Sequence, residues 1–297
     1  MELTKMLAEN YIDLHVHTTY SDGSFSPKEV VQYCKNKGIV AVGITDHDTT
    51  DGIEEAIEEG KKQGIEVVPG VELSVEFKDS TESEIHILGY YIDWHDKTLQ
   101  QKLKIFRQVR QERAYKILAK LNSLGIKLEE DEVIKEFSST QSIGRLHFAR
   151  ILFEKGIVSS VKEAFDLYLG YGMPAYVPKF RLQSQEAISL ILQTGGIPIL
   201  AHPYFGICVD TKSIKKLVNQ GIKGIEVYHS KHHKNVTEEL NNIADKYGLL
   251  ITGGSDCHGA VDGSEPLLGS LKIPYILLES LKKYKQQLED FKCQILV

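Results

Sequence analysis

YIDLHVHTTYSDGSFSPKEVVQYCKNKGIVAVGITDHDT, residues 11–49, reads as one strand, one helix and a second strand. In YIDLHVH (11–17) the period of two places His15 and His17 on one side and Leu14 and Val16 on the other. A polar turn, SDGS, follows, and then a helix with Ser26 placed to cap it, Pro27 at its first position and Gly38 at its exit. The β-branched run IVAVGIT (39–45) completes the unit. A strand, a crossover helix and another strand are the components of a parallel sheet.

The pattern repeats outward from this unit. Further strands are expected at IEVVPGV (65–71), EIHILGYYI (84–92), IPILA (197–201), GIEVY (224–228) and LLITGG (249–254). Helices are expected in DGIEEAIEEGKKQG, SQEAISLILQTGG, TKSIKKLVNQG and TEELNNIADKYG. Seven strands suit an α/β barrel. The repeat is broken once, between Thr98 and Pro178, where the pattern is almost wholly helical. Residues 1–97 and 179–297 are therefore assigned to a barrel and 98–178 to a helical insertion that caps it.

The 297 residues are 42% hydrophobic and 26% charged, enough for one large domain or one domain with an insertion. A net charge of -6 argues against a broad basic surface for long nucleic acid and leaves small phosphorylated substrates open. MELTKMLAEN has no signal-peptide core, and no run approaches the roughly 18 apolar residues of a membrane span, so a cytoplasmic protein without membrane contact is expected. Cys34, Cys208, Cys257 and Cys293 form no CxxC pair and read as reduced thiols.

Chemistry-bearing residues recur at the strand ends. His15 and His17 can chelate one ion; Asp22 lies in the turn beyond them, His47 in TDHDT, Glu72 in PGVELS and His86 in the fourth strand. His202, His229, Asp256 and His258 follow the later strands. In a β/α barrel such ends converge on one face, where active sites are built. Imidazoles and carboxylates without thiolates suit zinc, manganese or iron, and nine candidate ligands exceed the needs of one ion, so two or three divalent metals are expected. Metals a few ångströms apart acidify a shared water and stabilise a phosphoryl group under attack, which points to phosphate-ester hydrolysis. His95, His232 and His233 lie in polar stretches and read as solvated, as does the stripe Arg107, Arg110 and Arg113.

DLHVHTTYSDG, GITDHDT, PGVELS, AHP and SDCHG closely resemble, in order, the motifs of the PHP (polymerase and histidinol phosphatase) family along the whole chain. IGRLHFARIL and AYVPK resemble the insertion motifs of its nucleotide phosphatase and exoribonuclease branch. The resemblance implies a distorted (β/α)7 barrel with an inserted helical domain, and ligands at His15, His17, Asp22, His47, Glu72, His86, His202, Asp256 and His258. The expected sharing gives one metal to His15, His17, Glu72 and Asp256, a second to Glu72, His86 and His202, and a third to Asp22, His47 and His258. Tyr204 and the histidine-rich YHSKHH depart from the family pattern near the substrate face.

The implied reaction is attack on phosphorus by a hydroxide shared between metals, in phosphate monoesters of small nucleotides such as nucleoside 3′,5′-bisphosphates or AMP, and at the 5′ ends of short RNA. Arg145 and Lys179 are candidate phosphate-binding cations, with Arg145 also catalytic; His229, a catalytic candidate, and His147 are expected at the substrate. Tyr168, Tyr171 and Tyr176 read as core residues before a base-stacking surface. The alternatives are a histidinol phosphatase, a metal-dependent amide hydrolase and a non-catalytic PHP module. Metal identity, base preference and oligomeric state do not follow from the sequence.

Overall fold

The computed structural model describes residues 10–77, 84–129, 131, 133, 142–204, 210–260 and 264–295; Cys208 and the side chain of Cys293 lie outside them. β1 (Tyr11–Val16) pairs in parallel with β2 (Ile39–Ile44), and the helix between them, α1 (Pro27–Lys37), has the ends its sequence specifies. Ser26 Oγ accepts the Glu29 N–H, the Glu29 carboxylate accepts the Ser26 N–H at 2.7 Å, and Gly38 takes a left-handed φ of 72°. α2 (Ile53–Gln63) leads to β3 (Glu66–Glu76), parallel to β2.

The fourth strand breaks the expected all-parallel order. β4 (Glu84–Tyr90) runs antiparallel to β3, because too few residues separate Glu76 from Glu84 for the crossover that a parallel pair needs. Its reversed direction brings the N-terminal part of β4, with His86 opposite Ser74, to the face that the other strands reach with their C-terminal ends. After β4 come the helices of the insertion: α3 (Lys97–Ser123), α4 (Arg145–Glu154) and α5 (Val161–Ala164), which runs into a π-helical turn at Phe165–Leu169. They carry an apolar cluster of their own, including Ile117, Leu121, Phe148 and Leu152.

The chain returns through β5 (Leu182–Gln183), a short strand absent from the sequence reading, which pairs with β3. Then follow α6 (Ser184–Gln193), β6 (Ile197–Leu200), α7 (Thr211–Gln220), β7 (Gly224–His229), α8 (Lys234–Tyr247) and β8 (Leu250–Gly254), at the expected places. β9 (Ile273–Pro274) and α9 (Ile276–Ile295) were not expected; Leu278 and Leu281 of α9 pack with Ile12, Leu14, Leu88 and Tyr90. The sheet order is β8-β7-β6-β4-β3-β2-β1-β9. Beyond β8 the chain bonds back to β1, with the His17 N–H on the Cys257 carbonyl at 2.9 Å, and the sheet is nearly closed into a distorted barrel.

That closure presses β8 against the strand that holds His15. A Cβ on Gly254 would lie 2.2 Å from His15 Cβ and 2.4 Å from its backbone nitrogen. Gly254→Ala is expected to force the strands apart at a cost of about 1–3 kcal/mol. Urea denaturation reads the stability and metal titration reads the displaced histidine; an unchanged midpoint would show slack at this crossing.

Candidate metal centre

β1 delivers both of its histidines to one point: His15 Nε2 and His17 Nε2 are 3.3 Å apart, and both rings are fully buried. Asp256, from the loop after β8, puts Oδ1 3.1 Å from His17 Nε2 and 3.4 Å from His15 Nε2. Glu72, in the middle of β3, is fully buried among five imidazoles. Its Oε1 meets His86 Nδ1 at 2.7 Å and His202 Nε2 at 3.0 Å; its Oε2 meets His15 at 3.4 Å, His17 at 3.2 Å and His47 at 2.9 Å. Asp22 lies 3.4 Å from His258 Nε2 and 4.0 Å from His47 Nε2. All nine residues expected as ligands are thus brought together.

Three groups have ligand atoms within 4.8 Å of one another: His15, His17, Glu72 and Asp256; His47, Glu72 and His86; and His17, Asp22, His47 and His258. The first group is the expected set; the second has His47 in place of the expected His202, which instead meets Glu72 Oε1 beside His86, and the third adds His17 to Asp22, His47 and His258. The residues fit metal ions on chemical grounds. Five imidazoles converge on one carboxylate, and the buried oxygens Asp22 Oδ1 and Glu72 Oε2 make no hydrogen bond of good geometry. Burial disfavours charge on His17, yet Asp256 and Glu72 push its pKa up to about 10; His86 is pushed up to about 9 against the same burial by Glu72 and Glu84. The carboxylates therefore draw positive charge onto buried imidazoles. Three non-glycine residues here, Asp48, His202 and Asp256, hold positive φ of 52°, 24° and 55°, local strain of the kind found at functional sites.

A second layer orients the imidazoles. Glu226, buried in β7, contacts His15 Nδ1 at 3.1 Å and accepts the His202 N–H at 2.9 Å. Glu84 contacts His86 Nε2 at 3.3 Å. Neither was singled out from the sequence, although a glutamate between Ile225 and Val227 in an otherwise apolar strand was a usable signal. Glu226→Gln is expected to weaken metal binding about 10–100-fold, the usual effect of losing the carboxylate behind a histidine ligand. A competition titration against a chelator measures it, and unaltered affinity would relegate Glu226 to packing.

The centre opens into a cavity of about 860 Å³ whose lining includes Asp22, Glu72, His86 and Asp256 together with the cations Arg110, Arg113, Arg145 and Lys179. The burial of Arg110 and Arg113, 5% and 6% exposed, corrects the reading of a solvated stripe: α3 lies against the barrel and turns them inward. Arg107 is paired with Asp51 at 2.6 Å. Lys179 Nζ bonds Ser74 Oγ and lies 3.7 Å from Glu84; burial and the Arg110 charge push its pKa down to about 8. The Arg145 guanidinium lies between the Phe165 and Tyr176 rings. His147 instead accepts the Gly144 N–H at 3.1 Å at the start of α4, buried and away from the cavity wall. His229 is buried beside the centre, its Nε2 3.6 Å from Asp256 Oδ2. His232 packs against His229 and bonds the Val227 carbonyl, so it is not a solvated residue; His95 and His233 are exposed. Tyr168 packs on the insertion's apolar cluster, but Tyr171 is 72% exposed, contrary to a core role.

The model of the PHP domain matches residues 13–170. The chain belongs to the PHP family. A 3′,5′-nucleoside bisphosphate phosphatase of Chromobacterium violaceum is 32% identical over 268 residues, 89% of this chain and 93% of the relative. A 5′-3′ exoribonuclease of Haemophilus influenzae is 34% identical across 83% of this chain and 89% of its own length. Among solved structures, a protein of Bifidobacterium adolescentis assigned as a metal-dependent phosphoesterase superposes with a TM-score of 0.83 at 27% identity, covering 92% of this chain and 96% of that one. This PHP protein is a metal-dependent phosphoesterase. No described helix is long and apolar enough to cross a membrane.

Proposed function

We propose that the enzyme hydrolyses phosphate monoesters of small nucleotides, nucleoside 3′,5′-bisphosphates or AMP among them, and acts on the 5′ ends of short RNA. His15, His17, Asp22, His47, Glu72, His86, His202, Asp256 and His258 would hold two or three divalent ions of manganese, zinc or iron. The observation that carries this reading is the shared cavity, lined by seven of the nine candidate ligands and by cations that include Arg110, Arg113, Arg145 and Lys179. An amide substrate would have no use for those cations. When bound, the metals supply an acidified water and neutralise charge at phosphorus. The protein's own groups do the rest: Lys179, Arg110 and the arginines of the insertion hold the phosphoryl oxygens in place, and buried His229 stands ready to carry a proton. The insertion restricts access, which favours a small nucleotide or a strand end. Two buried free thiols, Cys34 and Cys257, support a reducing compartment such as the cytoplasm.

The test is release of inorganic phosphate by the metal-replete enzyme from adenosine 3′,5′-bisphosphate, AMP, histidinol phosphate and a short 5′-phosphorylated RNA. Mononucleotide release from the RNA is followed in parallel, with His15→Ala as control. Turnover of a nucleotide that vanishes in the control supports the proposal. Turnover of histidinol phosphate alone, or none at all with metals bound, overturns it.

A further inference from the structure

Asp46 lies in the loop after β2, next to His47, and is 1% exposed, yet it belongs to none of the three ligand groups. Among the described residues no lysine or arginine nitrogen lies within 4.0 Å of it. Its donors come from the turn that follows β1: Oδ1 accepts the Thr18 N–H at 2.7 Å and the Ser21 O–H, and Oδ2 accepts the Thr18 O–H at 2.7 Å. Thr18 and Ser21 are themselves fully buried, and the Thr18 carbonyl accepts the N–H groups of Ser21 at 3.0 Å and Gly23 at 2.9 Å. The turn that carries Asp22 thus hangs on one carboxylate. A buried carboxylate is costly unless its oxygens are hydrogen-bonded. Burial raises the Asp46 pKa, and the His17 charge and the donors of the turn pull it back.

Ser21 connects this carboxylate to the metal centre. Its Oγ lies 3.4 Å from His17 Nδ1, while Asp22 Oδ1, another acceptor near that nitrogen, lies at 3.8 Å. An ionised carboxylate only accepts, so the single hydroxyl proton of Ser21 goes to Asp46 and its oxygen keeps lone pairs for His17. The Nδ1 proton of His17 then points at Ser21. Nε2 turns a bare lone pair toward Asp256 Oδ1 at 3.1 Å and Glu72 Oε2 at 3.2 Å, and a lone pair facing two carboxylates calls for a cation between them. His17 stands in two of the ligand groups, and its engagement by Ser21 decides for the one with His15, Glu72 and Asp256. We propose that Ser21 and Asp46 are positioning residues that fix His17 as an Nε2 ligand and hold the turn bearing Asp22. The assignment rests on the metal-centre reading above and not on the identity of the substrate.

The full-length protein, with isotope-labelled histidine and loaded with zinc, is compared with Ser21→Ala and Asp46→Asn. Ser21→Ala is expected to weaken one zinc step about 10–100-fold in competition with a chelator, the usual effect of losing the group behind a histidine ligand, and to leave the other steps unchanged. In the magnetic resonance spectrum the His17 Nδ1 proton is expected to exchange slowly with water in the parent and fast in Ser21→Ala. Asp46→Asn also loosens the Asp22 turn, so a second zinc step is expected to weaken by a similar factor. Neither readout needs turnover, so both stand even if no phosphate ester is hydrolysed. Parental zinc affinity with a slowly exchanging Nδ1 proton in Ser21→Ala would overturn the assignment. Equal weakening of every step, with a lower melting temperature of the metal-free variant, would also overturn it, because that is the mark of general packing. A parent that binds no zinc would overturn the metal centre itself, and this assignment with it.

Discussion

Glu72→Gln is expected to lower kcat/KM by at least about 10³-fold, beyond the usual cost of one electrostatic group because metals are lost with it. The substitution is nearly isosteric, so the fully buried position should stay filled and β3 should keep its register. What changes is the meeting of the carboxylate with five imidazoles. One oxygen faces His86 and His202 and the other faces His15, His17 and His47, so a single residue serves both halves of the cluster. An amide presents a donor to one half and has no net charge for either. Metal content per chain, measured after loading and desalting, should drop by at least one ion in the variant. A variant with full metal content and near-parental turnover would mean that Glu72 only packs the site.

The gathering of the first two candidate ligands could be read from the sequence because it depends on a local rule. Period-two alternation puts His15 and His17 on one side of β1 whatever its neighbours are, and they end 3.3 Å apart. Ser26, Pro27, Glu29 and Gly38 specify the ends of α1 from within. The direction of β4 was not legible in the same way, since alternation marks a strand but not its partner's sense; the short stretch between Glu76 and Glu84 was the cue. β9 and α9 lie beyond the last expected strand and owe their places to contacts with residues far away in sequence, such as Ile12 and Leu14.

The buried arginines show how a signal can be present and be outweighed. Leu99, Leu103, Phe106, Arg110, Arg113, Ile117 and Leu121 are all buried on α3. Their spacing alternates four and three from Leu99 to Ile117 and then takes a further step of four, the seam of a helix packed along its length. Arg110 and Arg113 occupy two positions of that seam. Judged by residue type they belong to solvent; judged by position they belong to the interface, and position decided. Glu226 repeats the lesson in a strand, where a charged residue between two apolar ones is buried against His15, a candidate ligand.

Asp48→Asn is expected to destabilise the protein by about 3–5 kcal/mol, the cost of leaving one member of a buried ion pair alone. Arg110 reaches from the insertion into the barrel, where its Nε donates to Asp48 Oδ2 at 2.9 Å and its Nη2 binds the same oxygen; side chains of both residues are less than a tenth exposed. Burial raises the Asp48 pKa, but the Arg110 charge overrides it and holds the carboxyl below its usual range. Asparagine preserves the tolerance for φ 52° and an acceptor for the Ser74 N–H, so the measured loss isolates the charge rather than the backbone. The sign of the linkage follows: a depressed carboxylate contributes stability that is present above its unfolded value near pH 4 and is lost as the pH falls through the lower folded value. Urea midpoints at neutral pH should therefore separate parent from variant widely, and the gap should narrow in acid. The double variant Asp48→Asn with Arg110→Met is expected to recover much of the loss, because the uncompensated charge is gone. Since Asp48 follows His47 directly, the pair ties the insertion to the loop that carries a candidate ligand. A cost below about 1 kcal/mol, as for an exposed pair, would show that the insertion is held by its apolar seam alone.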